Sequence, residues 1–131
     1  LGLVAALENC VDHWRQRLPQ TEFTLTVSGE LDDLGEVTNL TIYRLIQEGL
    51  TNSYKHAGAG RIDIALNQSG KDVVLTVADN GCGMAMKERM PGFGLGGMRE
   101  RVEMMGGTFT IDTTPGRGFT IEARLPAVGA A

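Results

Sequence analysis

Four residues of the segment Ile42–Gly58, IYRLIQEGLTNSYKHAG, bring four different chemistries together: the Glu48 carboxylate, the Asn52 amide, the Lys55 amine and the His56 imidazole. Apolar residues around them recur at helical spacing. At about 100° per residue the four polar groups share one face, and Ile46, Leu50 and Ala57 fall opposite, with Tyr43 beside them. Two readings of the polar face stand. One is a solvated surface with Glu48 and Asn52 as an i,i+4 pair. The other is a site, because a solvated face more often repeats Glu and Lys than carries one copy each of four chemistries.

Downstream, ADNGCGM closes an alternating segment. Asp79 shares parity with Val73, Leu75 and Val77, so its carboxylate points into the core layer. An ionised carboxylate there needs hydrogen-bond donors, because desolvating it unpaired is costly. An adenine amino group is one such donor; a plain Asp-Asn-Gly turn is the alternative. Gly81 and Gly83 fit a backbone that passes close to another group. Further on, GFGLGGMRER sets Gly92, Gly94 and Gly97 at the opening of a helix, where free N–H groups and the positive dipole end favour an anion. The spacing mimics a dinucleotide fingerprint, but MKERMP stands where that fold needs a strand, and no P-loop is present.

The elements that must position these groups follow from periodicity. Leu3, Leu7, Cys10 or Val11, Trp14 and Leu18 predict a first helix, stopped by Pro19. EFTLTVSG alternates as a half-buried strand. The Glu48 helix is expected from about Leu34 to Ala57, closed by Gly58 and Gly60. RIDIALNQ and KDVVLTVAD form a hairpin around Ser69-Gly70. A third helix, LGGMRERVEMM, ends at Gly106-Gly107, and TFTIDTT and GFTIEARL form a second hairpin around Pro115-Gly116. The tail PAVGAA is expected to fray. Helices on one face of a mixed sheet fit this order, an α/β two-layer sandwich in a single domain over residues 1–131.

Composition bounds the function. The chain has 131 residues, 42% of them hydrophobic, with a net charge of -4. That balance argues against direct nucleic-acid binding and against a polybasic membrane patch. Cys10 and Cys82 form no CxxC pair, which fits a reduced compartment. No apolar run approaches membrane-spanning length. An apolar-periodic run beginning at Leu1, without Met or cap, reads as part of a longer protein.

The ordered set of ExxxN with Lys-His on a helix, DxGxG after a strand and GxGLxG before a helix resembles the ATP-binding domain shared by histidine kinases, type II topoisomerase ATPases, Hsp90 and MutL. LGLVAAL, QEGLTNSYKHA, DNGCGM and GFGLGGMRERVEMMGG are most similar to the catalytic domain of bacterial sensor histidine kinases of the nitrate-sensor and sugar-phosphate-sensor type. The resemblance spans Leu1 to Pro126. It implies the Bergerat fold, with five mixed strands under three helices and a mobile lid.

The resemblance also implies roles. Asn52 would ligate a Mg²⁺ bridging the ATP phosphates, and Glu48 would orient a metal-bound water or act at the γ-phosphate. Lys55 and His56 would face the phosphates. Asp79 would accept from the adenine amino group, with Gly81 and Gly83 letting the backbone pass the base. Gly92, Gly94 and Gly97, with the Leu95 amide, would wrap the phosphates, and the loop from about Cys82 to Phe93 would be the lid. The implied partners are a phosphoacceptor dimerisation domain of the same protein and a response regulator. The full protein would be a membrane-anchored homodimer, with this part cytoplasmic and monomeric by itself.

One departure stands out. The family's last box usually reads GxGT; here Gly118 is followed by Phe119, and Thr120 comes one residue late. A one-residue shift in a strand flips the face, so Phe119 should point inward with Ile121 and Ala123, and Thr120 outward. His13 reads as surface or packing, and Trp14 as core. Three uses of such a pocket compete: a histidine kinase, an anti-sigma-like serine kinase or stand-alone ATPase, and a binding module without catalysis.

Overall fold

The computed structural model describes residues 2–31, 34–54, 60–81, 95–113 and 118–127. These form α1 (Leu3–Arg17), β1 (Glu22–Ser28), α2 (Glu36–Asn52), β2 (Arg61–Ser69), β3 (Asp72–Asp79), α3 (Leu95–Met104), β4 (Thr108–Thr113) and β5 (Phe119–Pro126). The strands make one sheet in the order β1-β2-β3-β5-β4. β1 and β2 are parallel, as a crossover through α2 requires, and the other pairs are antiparallel. The predicted α/β sandwich with a mixed five-stranded sheet is what the chain forms.

Alternation decides which sheet face is covered. Ile62, Ile64 and Leu66 of β2, Val73, Leu75 and Val77 of β3, and Ile121, Ala123 and Leu125 of β5 are all buried. The residues between them are partly or fully exposed. The helices bury complementary stripes: Leu3, Leu7, Cys10, Val11 and Trp14 from α1, and Leu95, Met98 and Val102 from α3. The first edge of the sheet is clipped by polar contacts. Thr24 donates to Asp63, and Arg61 pairs with both Asp63 and Glu22. The Thr24 hydrogen bond is the main cause holding the Asp63 carboxyl below its ordinary value; the Arg61 guanidinium adds to it, against desolvation.

Three expectations need correction. The second helix begins at Glu36 and not near Leu34, because Gly35 takes φ +89° and Leu34 turns into the core before the helix starts. The expected continuation to Ala57 and its closure at Gly58 lie outside the described residues, while Gly60 is exposed and its carbonyl accepts from the Glu22 N–H. The tail does not fray at its start: Pro126 pairs with Asp72, and the buried Ala127 donates its N–H to Lys71 O at 2.7 Å.

The third correction concerns the polar face of α2. Its buried residues are Thr38, Thr41, Ile42, Leu45, Ile46, Gly49 and Leu50. At about 100° per residue this arc reaches round to Thr41 and Leu45, on either side of Asn52. The polar face therefore borders the core and does not lie opposite it. The cause is packing on several sides, against the sheet, α1 and α3. Gly49 is the point of closest approach: a Cβ there would stand 3.3 Å from Val77 and Ile121 side-chain atoms.

Candidate functional site

β3 delivers Asp79 to the end of the covered face. Its register partners are Ile62 on β2 and Phe119 on β5. Directly opposed residues share a face, so the carboxylate stands between two apolar side chains and is itself only 9% exposed. A carboxylate so placed needs donors, and two are present. Ser53 Oγ donates to Oδ2 at 2.7 Å, and the Gly81 N–H donates to Oδ1 at 2.9 Å. The inward orientation expected for Asp79 holds.

Ser53 is the residue that sequence reading missed. Its position follows from how α2 lies on β3. Gly49 rests on Val77; one helical turn further is Ser53, and two strand residues further is Asp79. A turn advances about 5.4 Å and two strand residues about 6.8 Å, so the two elements stay in step over one repeat. Past Asn52 the helix continues through Ser53 and Tyr54 in a widened turn, a distortion that often accompanies function. That end is fixed from outside by α1. The Trp14 and Tyr54 rings lie 5.4 Å apart, and the Arg17 guanidinium sits 5.2 Å from each.

The backbone after Asp79 is equally constrained. Asn80 bonds Arg61 twice, through its N–H to Arg61 O and through Oδ1 to the Arg61 N–H. On the other side Gly118 takes φ +84°, and a Cβ there would sit 2.2 Å from Asp79 O. Phe119 is buried and faces Asp79, while Thr120 pairs with Ala78 on the opposite parity, as the strand pattern predicts.

Glu48 lies one turn before Asn52 and is bound across the helices: Arg101 Nη1 of α3 donates to Glu48 Oε1 at 3.0 Å. Both side chains keep about a third of their surface exposed, 35% for Arg101 and 37% for Glu48. Asn52 is half-buried. Arg99 turns the other way, donating to Phe109 O at 3.0 Å and lying over the Phe109 ring. Leu95 begins α3 as a core residue, and Gly97 in the first turn is exposed, with no acidic residue in that turn. Lys55, His56, Gly83, Gly92, Gly94 and the expected lid lie outside the described residues. The structure thus brings together Asp79, Gly81 and Ser53, and separately ties Glu48 to α3.

Among the described residues no three His, Cys, Asp or Glu side chains converge as a metal cage. The Asn52 amide oxygen, with Glu48 one turn away, offers hard oxygen donors in small number. That donor set fits Mg²⁺, which takes one or two protein oxygens and leaves the rest to phosphates and water. His13 is exposed on α1, edge-on to Trp14. Cys10 is buried, and burial raises its thiol above the ordinary value despite a hydrogen bond with Tyr43. No helix among the described residues is long and apolar enough to cross a membrane.

Comparison with known proteins agrees with this geometry. Residues 37–129 match the family described as histidine kinase-, DNA gyrase B-, and HSP90-like ATPase. The signal transduction histidine-protein kinase/phosphatase UhpB of Salmonella typhimurium is 42% identical over 93 residues, 71% of this chain and 18% of that protein. DegS of Bacillus subtilis, of the same description, is 31% identical over 132 residues, 96% of this chain and 34% of that protein. The chain spans about a fifth to a third of the length of these curated relatives. Among solved structures, the ATP-binding domain of PrrB from Mycobacterium tuberculosis matches with a TM-score of 0.76 at 20% identity, over 97% of this chain and 95% of that one. The histidine kinase domain of the Erythrobacter litoralis EL346 blue-light activated kinase matches with a TM-score of 0.75 at 23% identity, over 98% and 62%. At these identities the structural likeness establishes the fold, while the sequence match over residues 37–129 assigns the lineage: the chain belongs to the histidine kinase-, DNA gyrase B- and HSP90-like ATPase family.

Proposed function

We propose that the chain is the ATP-binding catalytic part of a two-component sensor histidine kinase. It passes the γ-phosphoryl group of ATP to a histidine on a phosphoacceptor dimerisation domain, for onward transfer to a response regulator. The observation that carries this reading is the buried Asp79 carboxylate beside the Glu48–Asn52 turn. Ser53 and Gly81 occupy one lone pair on each oxygen, and a carboxylate has about four acceptor positions. The remaining capacity suits the adenine amino group, which donates where guanine presents a carbonyl acceptor.

The other roles follow along α2. Asn52 would hold a Mg²⁺, which would supply charge neutralisation at the phosphates. Glu48 acts at the γ-phosphate, and Lys55 and His56 offset phosphate charge. Gly92, Gly94 and Gly97 with the Leu95 amide line the phosphates, and Gly83 lets the backbone pass the base. In the transfer the bond from the γ-phosphorus to the bridging oxygen breaks, ADP leaves, and phosphorus bonds to the imidazole nitrogen, whose proton passes to an acidic neighbour. The relatives reported above are named as histidine kinases, which favours this reading over a serine kinase, a stand-alone ATPase or a non-catalytic module. The longer protein is proposed to be a membrane-anchored homodimer, with this part in the cytoplasm and monomeric alone.

The test is ligand-induced stabilisation. A ligand that binds only the folded state raises its melting temperature. Mg-ATP is expected to raise it more than Mg-GTP, and Asp79→Asn to shrink that difference. Equal shifts with both nucleotides in the parent protein would overturn the adenine role of Asp79.

A further inference from the structure

Ser53 has a task beyond filling the helix, and it follows from what surrounds Asp79. The carboxylate is flanked in register by Ile62 and Phe119, neither of which donates a hydrogen bond. Among the described residues Ser53 is the side chain that donates to it, and Ser53 is itself only 5% exposed. The second donor, the Gly81 N–H, belongs to the segment that follows the strand. A carboxylate held only there would be free to rotate about its χ2 bond, a soft torsion. With Oδ2 tied to α2 and Oδ1 to Gly81, the plane of the group is set from two sides.

We infer that Ser53 is a specificity-positioning residue: its hydroxyl fixes the Asp79 carboxylate in the orientation that accepts from an exocyclic amino group and repels a carbonyl. This inference rests on the nucleotide-site reading of Asp79. Its consequence is mechanical as well as chemical. Ser53 follows Asn52 directly, so the turn that carries the proposed metal ligand also carries the group that sets base selectivity. The two ends of the nucleotide are referred to one helical turn. α2 is held in place there by Gly49 on Val77 and by the Trp14–Tyr54–Arg17 stack.

The experiment compares ATP and GTP dissociation constants, measured by calorimetry with Mg²⁺, for the parent chain, Ser53→Ala, Ser53→Cys, Ser53→Thr and Asp79→Asn. Ser53→Ala is expected to weaken ATP about 10-fold, the scale of a hydrogen bond to a charged group, with GTP changing much less. The ATP-over-GTP ratio therefore narrows. Ser53→Cys keeps nearly the same volume with a weak donor, so it should narrow the ratio even if the alanine variant folds poorly. Ser53→Thr retains a hydroxyl and should keep the ratio. A merely structural serine would lower stability and weaken both nucleotides equally. If Asp79→Asn narrows the ratio while Ser53→Ala and Ser53→Cys leave it intact, the role of Ser53 is overturned and the nucleotide reading stands. If Asp79→Asn also leaves it intact, both fall.

Discussion

A single carboxylate with two assigned donors carries more information about this protein than any of its motifs alone. Asp79 is buried beside apolar neighbours, and the chain spends one hydroxyl and one backbone amide to hold it. Glu48 is treated differently. It stays partly exposed and takes a guanidinium from α3, a pairing of the kind that adds little to stability but fixes direction. Asn52 lies between these two arrangements. Asn52→Ala is expected to abolish the Mg²⁺ dependence of nucleotide binding. Stability should change by about 1 kcal/mol or less, since the side chain is only half-buried. Titrating Mg²⁺ into the nucleotide complex and following urea denaturation would read both effects. An unfolded variant, or an unchanged metal dependence, would remove Asn52 from the site.

At the scale of elements, the site depends on three approaches between neighbouring elements. α2 descends onto β3 at Gly49, β5 meets the end of β3 at Gly118, and α3 reaches α2 through Arg101. Gly118 is the most demanding. Its φ of +84° disfavours any side chain, and a Cβ would collide with Asp79 O. Gly118→Ala should therefore destabilise by at least about 2 kcal/mol, combining left-handed backbone strain with overpacking. Because the displaced atom belongs to Asp79, ATP affinity should fall as well. Denaturant midpoints and nucleotide titrations on the same variant check this. A variant as stable as the parent would mean that β5 can withdraw from β3 without cost.

For the whole molecule, the proposed reaction needs an acceptor brought in line with the phosphate at close range. The chain contains two histidines. His13 stands exposed on α1 and is followed by Trp14, not by an acidic residue that could take its proton. His56 is proposed to offset phosphate charge, a role that leaves it no part as acceptor. The chain is therefore expected to bind ATP without labelling itself. Adding a separately made phosphoacceptor domain should restore acid-labile label on that domain, at a rate rising with its concentration. Glu48→Gln should slow this transfer more than it weakens ATP binding. Stoichiometric label from γ-labelled ATP on this chain alone would overturn the assignment of both histidines.

Much of this was legible in the residues themselves. Alternation placed Val73, Leu75, Val77 and Asp79 on one face, and the same parity turned Phe119 inward and Thr120 away; both follow from the two-residue period of a strand, which is local. Helical spacing likewise found the buried stripe of α1, and the type of each element. Other features depended on contacts between distant segments. The sequence marks Glu48 and Asn52 as polar residues on a helix, but not that Arg101, 53 positions later, reaches Glu48. It shows that Asp79 needs a donor, but not that Ser53 supplies it. That pairing arises only because Gly49 lets α2 settle on Val77, so that one turn of helix keeps step with two residues of strand. Local periodicity determines which way a side chain points along its own element; which partner it meets is decided by how closely and in what register the elements pack.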